Sequence, residues 1–431
     1  MKHRREIFAI AIPAIVSNIT TPILGLVDVA VTGHIGAAVY IGAIAVGGSM
    51  FNMLYWLCNF LRMGTSGLTA QAFGAADAEA QSRILYRALL VGLALGLAIF
   101  ALQRPLADVI LRFMDADDAT QALARRYFNI CVWAAPAVTA TLGISGWLLG
   151  MQNSRATMVI AIATNIVNVV LSIGLVFGAG WKIEGVATGT MVAQWFGALL
   201  GLGIIAWKYR PAFPGLRSIF ESTALRGFFR INTDIMLRTA CLVAVTMWFT
   251  HAGATQSTAI LAANALLLQL FMLFSFFMDG FAFSGEALAG KFHGAGNPQA
   301  LRELIADILR VGLWCAVIFA VLYCLLGEAF LRVLADDQSV VATAVAYLPW
   351  AVAIPLCGFM AFAWDGILIG LTCTRIMLAA MALAMITFFA LYFSLFHRWG
   401  NHALWLAFDA YLTVRGAAEW IIWRKSAKRT S

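Results

Sequence analysis

Apolar residues run through this chain in long stretches broken by short polar ones. Twelve such stretches can be counted, roughly 7–33, 39–66, 84–103, 124–149, 156–178, 184–207, 228–250, 258–288, 308–327, 341–370, 376–396 and 403–423. Each is about long enough to cross a bilayer, which takes roughly 20 residues as an α-helix. Turn-forming strings separate them: HIGAA, FGAADAEAQ, MQNSR, GAGWKIEG, the Pro211–Pro214 stretch, HAGATQ, HGAGNPQ and WGNH. The pattern predicts an all-α polytopic membrane protein with twelve transmembrane helices. The N-terminal MKHRRE resembles the start of a signal peptide, but the apolar run behind it is too long and contains an acid, which predicts an uncleaved first span.

The chain also repeats itself. Leu111-Arg112 returns as Leu331-Arg332, Asp117 as Asp337, Tyr127 as Tyr347, and LLGMQNSRATM at 148–158 as LIGLTCTRIML at 368–378, always 220 residues on. The halves are expected at 1–215 and 216–431, each with six spans. An even number per half gives both halves the same orientation, a parallel repeat.

Composition excludes a water-soluble globule: 62% of residues are hydrophobic and 12% charged, against about a quarter charged in soluble domains. The net charge of +8 does not point to nucleic acid, because the basic residues lie mostly between apolar runs. Lys2, Arg4 and Arg5, the connections after even-numbered spans, and the tail with Arg424, Lys425, Lys428 and Arg429 place both termini in the cytoplasm by the positive-inside rule. The seven cysteines form no CxxC pair, so neither a disulfide framework nor a metal site is expected. There is no Gly-rich phosphate loop and no HExxH, and GISGW is not GxSxG. Without an ATP site, an ion gradient must drive any transport, and no catalytic residue or cofactor is expected.

Charge inside the spans is sparse and therefore informative. The first span carries one acid, Asp28, and two prolines, Pro13 and Pro22. Each proline removes a backbone donor and favours a bend. Thr21, Gly25, Asp28 and Thr32 share one face. The fifth span has Asn165, Asn168 and Ser172 on one face, and the sixth has Thr190 and Gln194 one turn apart. Together they can build one polar pocket in the first half. The alternative is ordinary hydrogen bonding between helices. The second half is more charged. Asp234 and Arg238, at i and i+4, can pair; Asp279 and Glu286 share a face; Asp365 and Asp409 lie in the tenth and twelfth spans. A neutralised structural network and a second proton relay or substrate cavity both fit. Shifting Asp28 by 220 lands on Trp248, so the scaffold repeats while the chemistry does not.

IPAIVSNITTPILGLVDVAVTGHIG, FLRMGTSGLTAQAFGA, GWLLGMQNSRATM, GVATGT, NTDIMLR, MDGFAFSGEALAG and GNHALWLAF together resemble the MATE multidrug efflux transporters, in the DinF-like branch, over essentially the whole chain. The resemblance implies two pseudo-symmetric six-helix lobes in a V and alternating access, with organic cationic or amphipathic compounds exported in exchange for protons or Na⁺. It implies that Asp28 is the coupling acid, that the first helix bends at Pro13, and that Asn168 and Thr190 belong to the coupling site with Tyr127 near by. Where the family often has Asp, this chain has Ser172. With one acid rather than two, the pocket favours H⁺ over Na⁺ as coupling ion. Asp28, Asn168, Ser172 and Thr190 are thus the expected coupling residues; Thr21, Tyr127, Asn165 and Gln194 the expected cavity; and Asp234, Arg238, Asp279 and Asp365 a polar network in the second lobe. A monomer in the inner membrane of a bacterial cell is expected. A Na⁺-coupled drug antiporter and a flippase for a lipid-linked precursor are the alternatives.

Overall fold

The computed structural model describes residues 2–33, 38–112 and 117–430. Every regular element among them is helical. The first half contains α1 (Arg4–Gly33), α2 (Ala38–Cys58), α3 (Phe60–Gly74), α4 (Ala78–Ala101), α5 (Gln103–Arg112), α6 (Asp118–Cys131), α7 (Ala135–Gly150), α8 (Ser154–Ile173) and α9 (Ile183–Lys208). The short α10 (Leu216–Ile219) leads to α11 (Ser222–Ala254), α12 (Thr258–Gly294), α13 (Pro298–Leu334), α14 (Gln338–Gly370), α15 (Thr374–Trp399) and α16 (Asn401–Thr430). Ten stretches of described chain are long and apolar enough to cross a membrane, with α2–α3 and α6–α7 each counting as one. The 30-residue helices α1 and α16 lie where the first and twelfth spans are expected.

The repeat is visible helix by helix. Ala38 and Thr258, Ala78 and Pro298, Asp118 and Gln338, and Ser154 and Thr374 start corresponding elements. What is one helix in the second half is two in the first. The α2–α3 junction falls at Asn59, and α6 passes into α7 through a 3₁₀ turn at Val132–Ala134, followed by Pro136. Proline has no backbone N–H to give the preceding turn. Its placement does not by itself dictate a break, since α14 runs unbroken through Pro349 and Pro355.

Helix starts are encoded the same way twice. The Asp77 carboxylate accepts from Ala80 N, and the Asn297 side chain accepts from Ala300 N; Asp117 caps α6 through Thr120 N, and Asp337 caps α14 through Ser339 N. These side chains satisfy amide donors that a helix start leaves without partners.

The chain divides into two compact units, Ile12–Phe228 in one and Met1–Ala11 with Phe229–Ser431 in the other. The division falls at Phe228/Phe229 rather than at 215/216, and the first turns of α1 count with the second unit. In the first unit α7 packs on α3 and α4, and α8 on α9; in the second α14 packs on α12, α13 and α16. Lipid tails are as apolar as leucine, so such contacts depend on close packing and small residues. A Cβ added to Gly146 would lie 2.3 Å from the Arg62 carbonyl oxygen, and one added to Gly366 would lie 2.1 Å from that of Ala282. The two contacts are 220 residues apart on both sides. Trp147, Trp364 and Trp405 are fully buried within the units. Trp207, Trp314, Leu325 and Val333 face outward, 66–84% exposed, as suits a lipid-facing surface.

Candidate functional site

In the first unit the structure joins α8 to α9 through buried polar groups. Asn168 Nδ2 donates to Thr190 Oγ1 at 2.9 Å, and Ser172 Oγ donates to Asn168 Oδ1 at 3.5 Å. Thr190 Oγ1 in turn donates to the Val186 carbonyl at 3.0 Å. Asn168 is 1% exposed and Ser172 fully buried. The spacing Asn165, Asn168, Ser172 puts all three along one side of α8. A Cβ on Gly189 would lie 2.7 Å from Ser172 Oγ and 2.9 Å from its backbone nitrogen, so α9 presses directly on this position. Just beyond Ser172 the chain widens into a π-helical turn, Gly174–Gly178.

Asn165 reaches the other way. Its Nδ2 donates to the Thr20 carbonyl on α1 at 3.4 Å. A cavity of about 270 Å³ lies there, lined by Thr20 and Asn165 and by aliphatic residues such as Val27, Ile162 and Val169. Asp28 and Thr21 are on α1, which runs unbroken past Pro13 and Pro22, but their side chains lie outside the described residues. Gln194 is half-buried one turn beyond Thr190. Tyr127 stands elsewhere. It is 4% exposed and packed in an apolar core against Phe51, with its ring where a Cβ on Gly47 would go. The ring fills a notch left by Gly47 on α2, and Tyr127 is not among the residues that line the cavity beside Thr20 and Asn165.

In the second unit the charges pair differently from the expected i, i+4 arrangement. Asp234 does not pair with Arg238: its Oδ2 accepts from Thr374 Oγ1 at 2.8 Å. The Arg238 guanidinium instead crosses to Asp365 on α14. Asp365 also takes Arg415 from α16, and Arg415 Nε lies 4.0 Å from Glu419. All four groups are at most 8% exposed. Arginine's long stem and planar fork let it reach a carboxylate on another helix, so helical spacing alone does not select its partner. Asp279 interacts electrostatically with both arginines. Arg415 and Glu419 were not singled out in the sequence, although they stand one turn apart inside the last apolar segment. No cluster of three metal-ligating residues occurs among the described residues.

Known proteins give this arrangement its context. A family model described as MatE matches residues 13–173 and 235–393, one stretch in each half. The chain is 37% identical to the DNA damage-inducible protein F of Escherichia coli (strain K12), over 98% of this chain and 92% of that protein. It is 25% identical to the protein DETOXIFICATION 44, chloroplastic, of Arabidopsis thaliana, over 85% and 72%. Among solved structures, the outward-facing conformation of a multidrug resistance MATE family transporter of the MOP superfamily superposes with a TM-score of 0.88 at 16% identity, covering 98% of this chain and 96% of that one. With its two matched repeats, its all-helical fold and an E. coli relative matched nearly end to end, the chain belongs to the MATE family, in the DinF-like branch, and is a multi-pass membrane transporter rather than an enzyme.

Proposed function

We propose that this transporter exports organic cationic or amphipathic compounds from the cytoplasm by alternating access, in exchange for protons. The observation that carries the reading is the buried Asn168–Thr190–Ser172 cluster, which is built of neutral groups on the face where a second carboxylate would be needed for a Na⁺ site. Na⁺ is a hard cation that wants several oxygens and negative charge around it. A neutral cluster in a half whose first span carries a single acid, Asp28, suits one proton better.

In this scheme Asp28 binds a proton from outside. Losing its charge changes its hydrogen bonding toward Asn168, α1 bends at Pro13, and the pocket near Thr21, Asn165 and Gln194 narrows to expel the substrate. A cationic substrate competes with the proton for the same carboxylate. Similarity to a probable multidrug resistance protein NorM of Thermotoga maritima, 21% identical over 78% of this chain, supports drug-like substrates. The protein then works as a monomer in a bacterial inner membrane with both termini in the cytoplasm.

A flippase for a lipid-linked precursor would want unpaired cations for a diphosphate. Arg238 and Arg415 are both ion-paired with Asp365, which weighs against it. The test is transport of a cationic dye in proteoliposomes under imposed pH or Na⁺ gradients. Dye flux driven by the pH gradient and abolished by Asp28→Asn supports the scheme. Flux driven by Na⁺ alone moves the ion site elsewhere, and no flux under either gradient favours a lipid-linked substrate.

A further inference from the structure

The membrane-spanning part of α16 carries three acidic or basic side chains: Asp409, Arg415 and Glu419. Two of them are accounted for. Arg415 and Glu419, with Arg238 and Asp365, make a buried set of two cations and two acids. Asp409 stands apart from it. The residue is 5% exposed, and neither carboxylate oxygen has a hydrogen-bond partner among the described residues.

The surroundings of Asp409 are apolar or weakly polar on each side. On its own helix, Thr413 Oγ1 donates to the Asp409 backbone carbonyl at 2.9 Å, not to the carboxylate. The Tyr411 hydroxyl points at Met381 Sδ on α15, 3.1 Å away, and the Tyr411 ring packs against Phe388. From α12, Phe271 packs edge-on against the neighbouring Phe408. From α14, the titratable group that interacts with Asp409 is the Cys357 thiol, which is neutral and supplies no counter-charge. No ion pair to Asp409 occurs among the described residues. A buried carboxylate without a counter-charge or donors is far costlier than a buried carboxylic acid.

We infer that Asp409 is a second proton-binding site of this transporter, housed entirely within the second unit and separate from Asp28. The step is the binding of one proton, forming an O–H bond on the Asp409 carboxyl in the packed arrangement seen here; the proton leaves to water when helix movement opens α16 to an aqueous face. The Arg238–Asp365–Arg415–Glu419 set, on whose arginines Asp279 also acts, makes no ion pair to Asp409, so Asp409 can change charge without breaking those pairs. Asp28 plays no part in this inference, which stands or falls on the protonation state of one carboxyl.

The test is infrared difference spectroscopy on the full-length protein reconstituted in lipid, across a pH titration. A protonated-carboxyl C=O band at neutral pH is expected in the wild type, lost in Asp409→Asn and kept in Asp28→Asn. Asp409→Glu should move the band rather than remove it, which preserves the test if Asp409→Asn does not fold. If the wild-type spectrum lacks a protonated-carboxyl band that responds to changes at 409, the carboxyl is ionised and the inference is overturned. Because no transport is measured, a failure of the Asp28 coupling scheme registers separately, in the dye assay.

Discussion

Arg87 and Asp307 occupy the same place in the two halves, 220 residues apart, and hold opposite ends of the peptide group. Arg87 Nε and Nη2 donate to the carbonyls of Ile219 and Ser218 at 2.8 and 2.7 Å, fastening α10 to α4. Asp307 Oδ2 accepts the backbone N–H of His3 at 3.1 Å, fastening the entry to α1 against α13. A cation suits the carbonyls at the end of a helix, and an anion suits the amides at a beginning. Each residue therefore anchors the segment that leads into the first long helix of the other half.

Removing either anchor should be costly. Hydrogen bonds to charged groups contribute about 1.5–3 kcal/mol each, and Arg87 is 7% exposed. Arg87→Met should lower thermal stability in detergent by about 3 kcal/mol and expose the 210–222 linker to protease. Arg87→Lys should recover only part of this. Unchanged melting and cleavage in Arg87→Met would show that the linker is held by something else.

The paired glycines make a second prediction. Gly146→Ala and Gly366→Ala each drive a Cβ into a carbonyl oxygen of the facing helix, which cannot rotate away as a side chain could. Overpacking typically costs about 1–3 kcal/mol, and these should lie at the upper end or abolish folding. Gly203→Ala on α9, where nothing lies within 4 Å, should be neutral or stabilising by about 1 kcal/mol. Equal melting temperatures for all three variants would contradict the close approach.

The buried charge set should respond to imbalance more than to loss. Arg415→Met leaves Asp365 and Glu419 short of a cation, and removing one partner of a buried pair costs about 3–5 kcal/mol. Arg415→Met with Glu419→Gln removes one charge of each sign and should restore a good part of that stability. A strictly additive double variant, measured by denaturation, would show that the two groups do not interact.

Asn168→Ala should remove the amide that joins α8 to α9 and lower pH-driven dye efflux well below the wild-type level while the protein remains folded. Ser172→Asp should behave differently. Its carboxylate enters a fully buried position against the Gly189 backbone, so reduced stability is expected alongside any change in ion preference. Wild-type stability in Ser172→Asp would show that the α8–α9 contact yields readily.

Ala76 turns the chain between α3 and α4 at φ 55°, where its repeat counterpart Gly296 has φ 63°. The left-handed region costs an alanine about 1–2 kcal/mol relative to right-handed conformations, and glycine adopts it freely. Ala76→Gly should raise stability by about 0.5–1 kcal/mol, read as a small upward shift in melting temperature. A downward shift would mean that the alanine methyl group makes a compensating contact.

Much of this architecture was readable from particular residues. Gly150 and Gly370, and Asp117 and Asp337, carried the repeat because each has a backbone job that few residues can do. Asn168, Ser172 and Thr190 were legible as a cluster because their spacing put them on facing stripes of consecutive helices. Partners on distant helices were not legible. The pairing of Asp234 with Arg238 followed from i, i+4 spacing, yet Thr374 and Asp365 took those two groups. Helical spacing says which side chains share a face and nothing about what a neighbouring helix offers. The packing of Tyr127 was not legible for a related reason, since the notch it fills is made by Gly47 on another helix.

The anchors also set an order of events as the chain is made. Arg87 meets the Ile219 carbonyl across 132 residues, but His3 waits for Asp307 across 304. A ribosome delivering this chain N-terminus first brings Arg87 and its two carbonyl partners together while α13 does not yet exist. The leading turns of α1, with Glu6 due to meet Lys291, are therefore the first part synthesised and among the last to be secured.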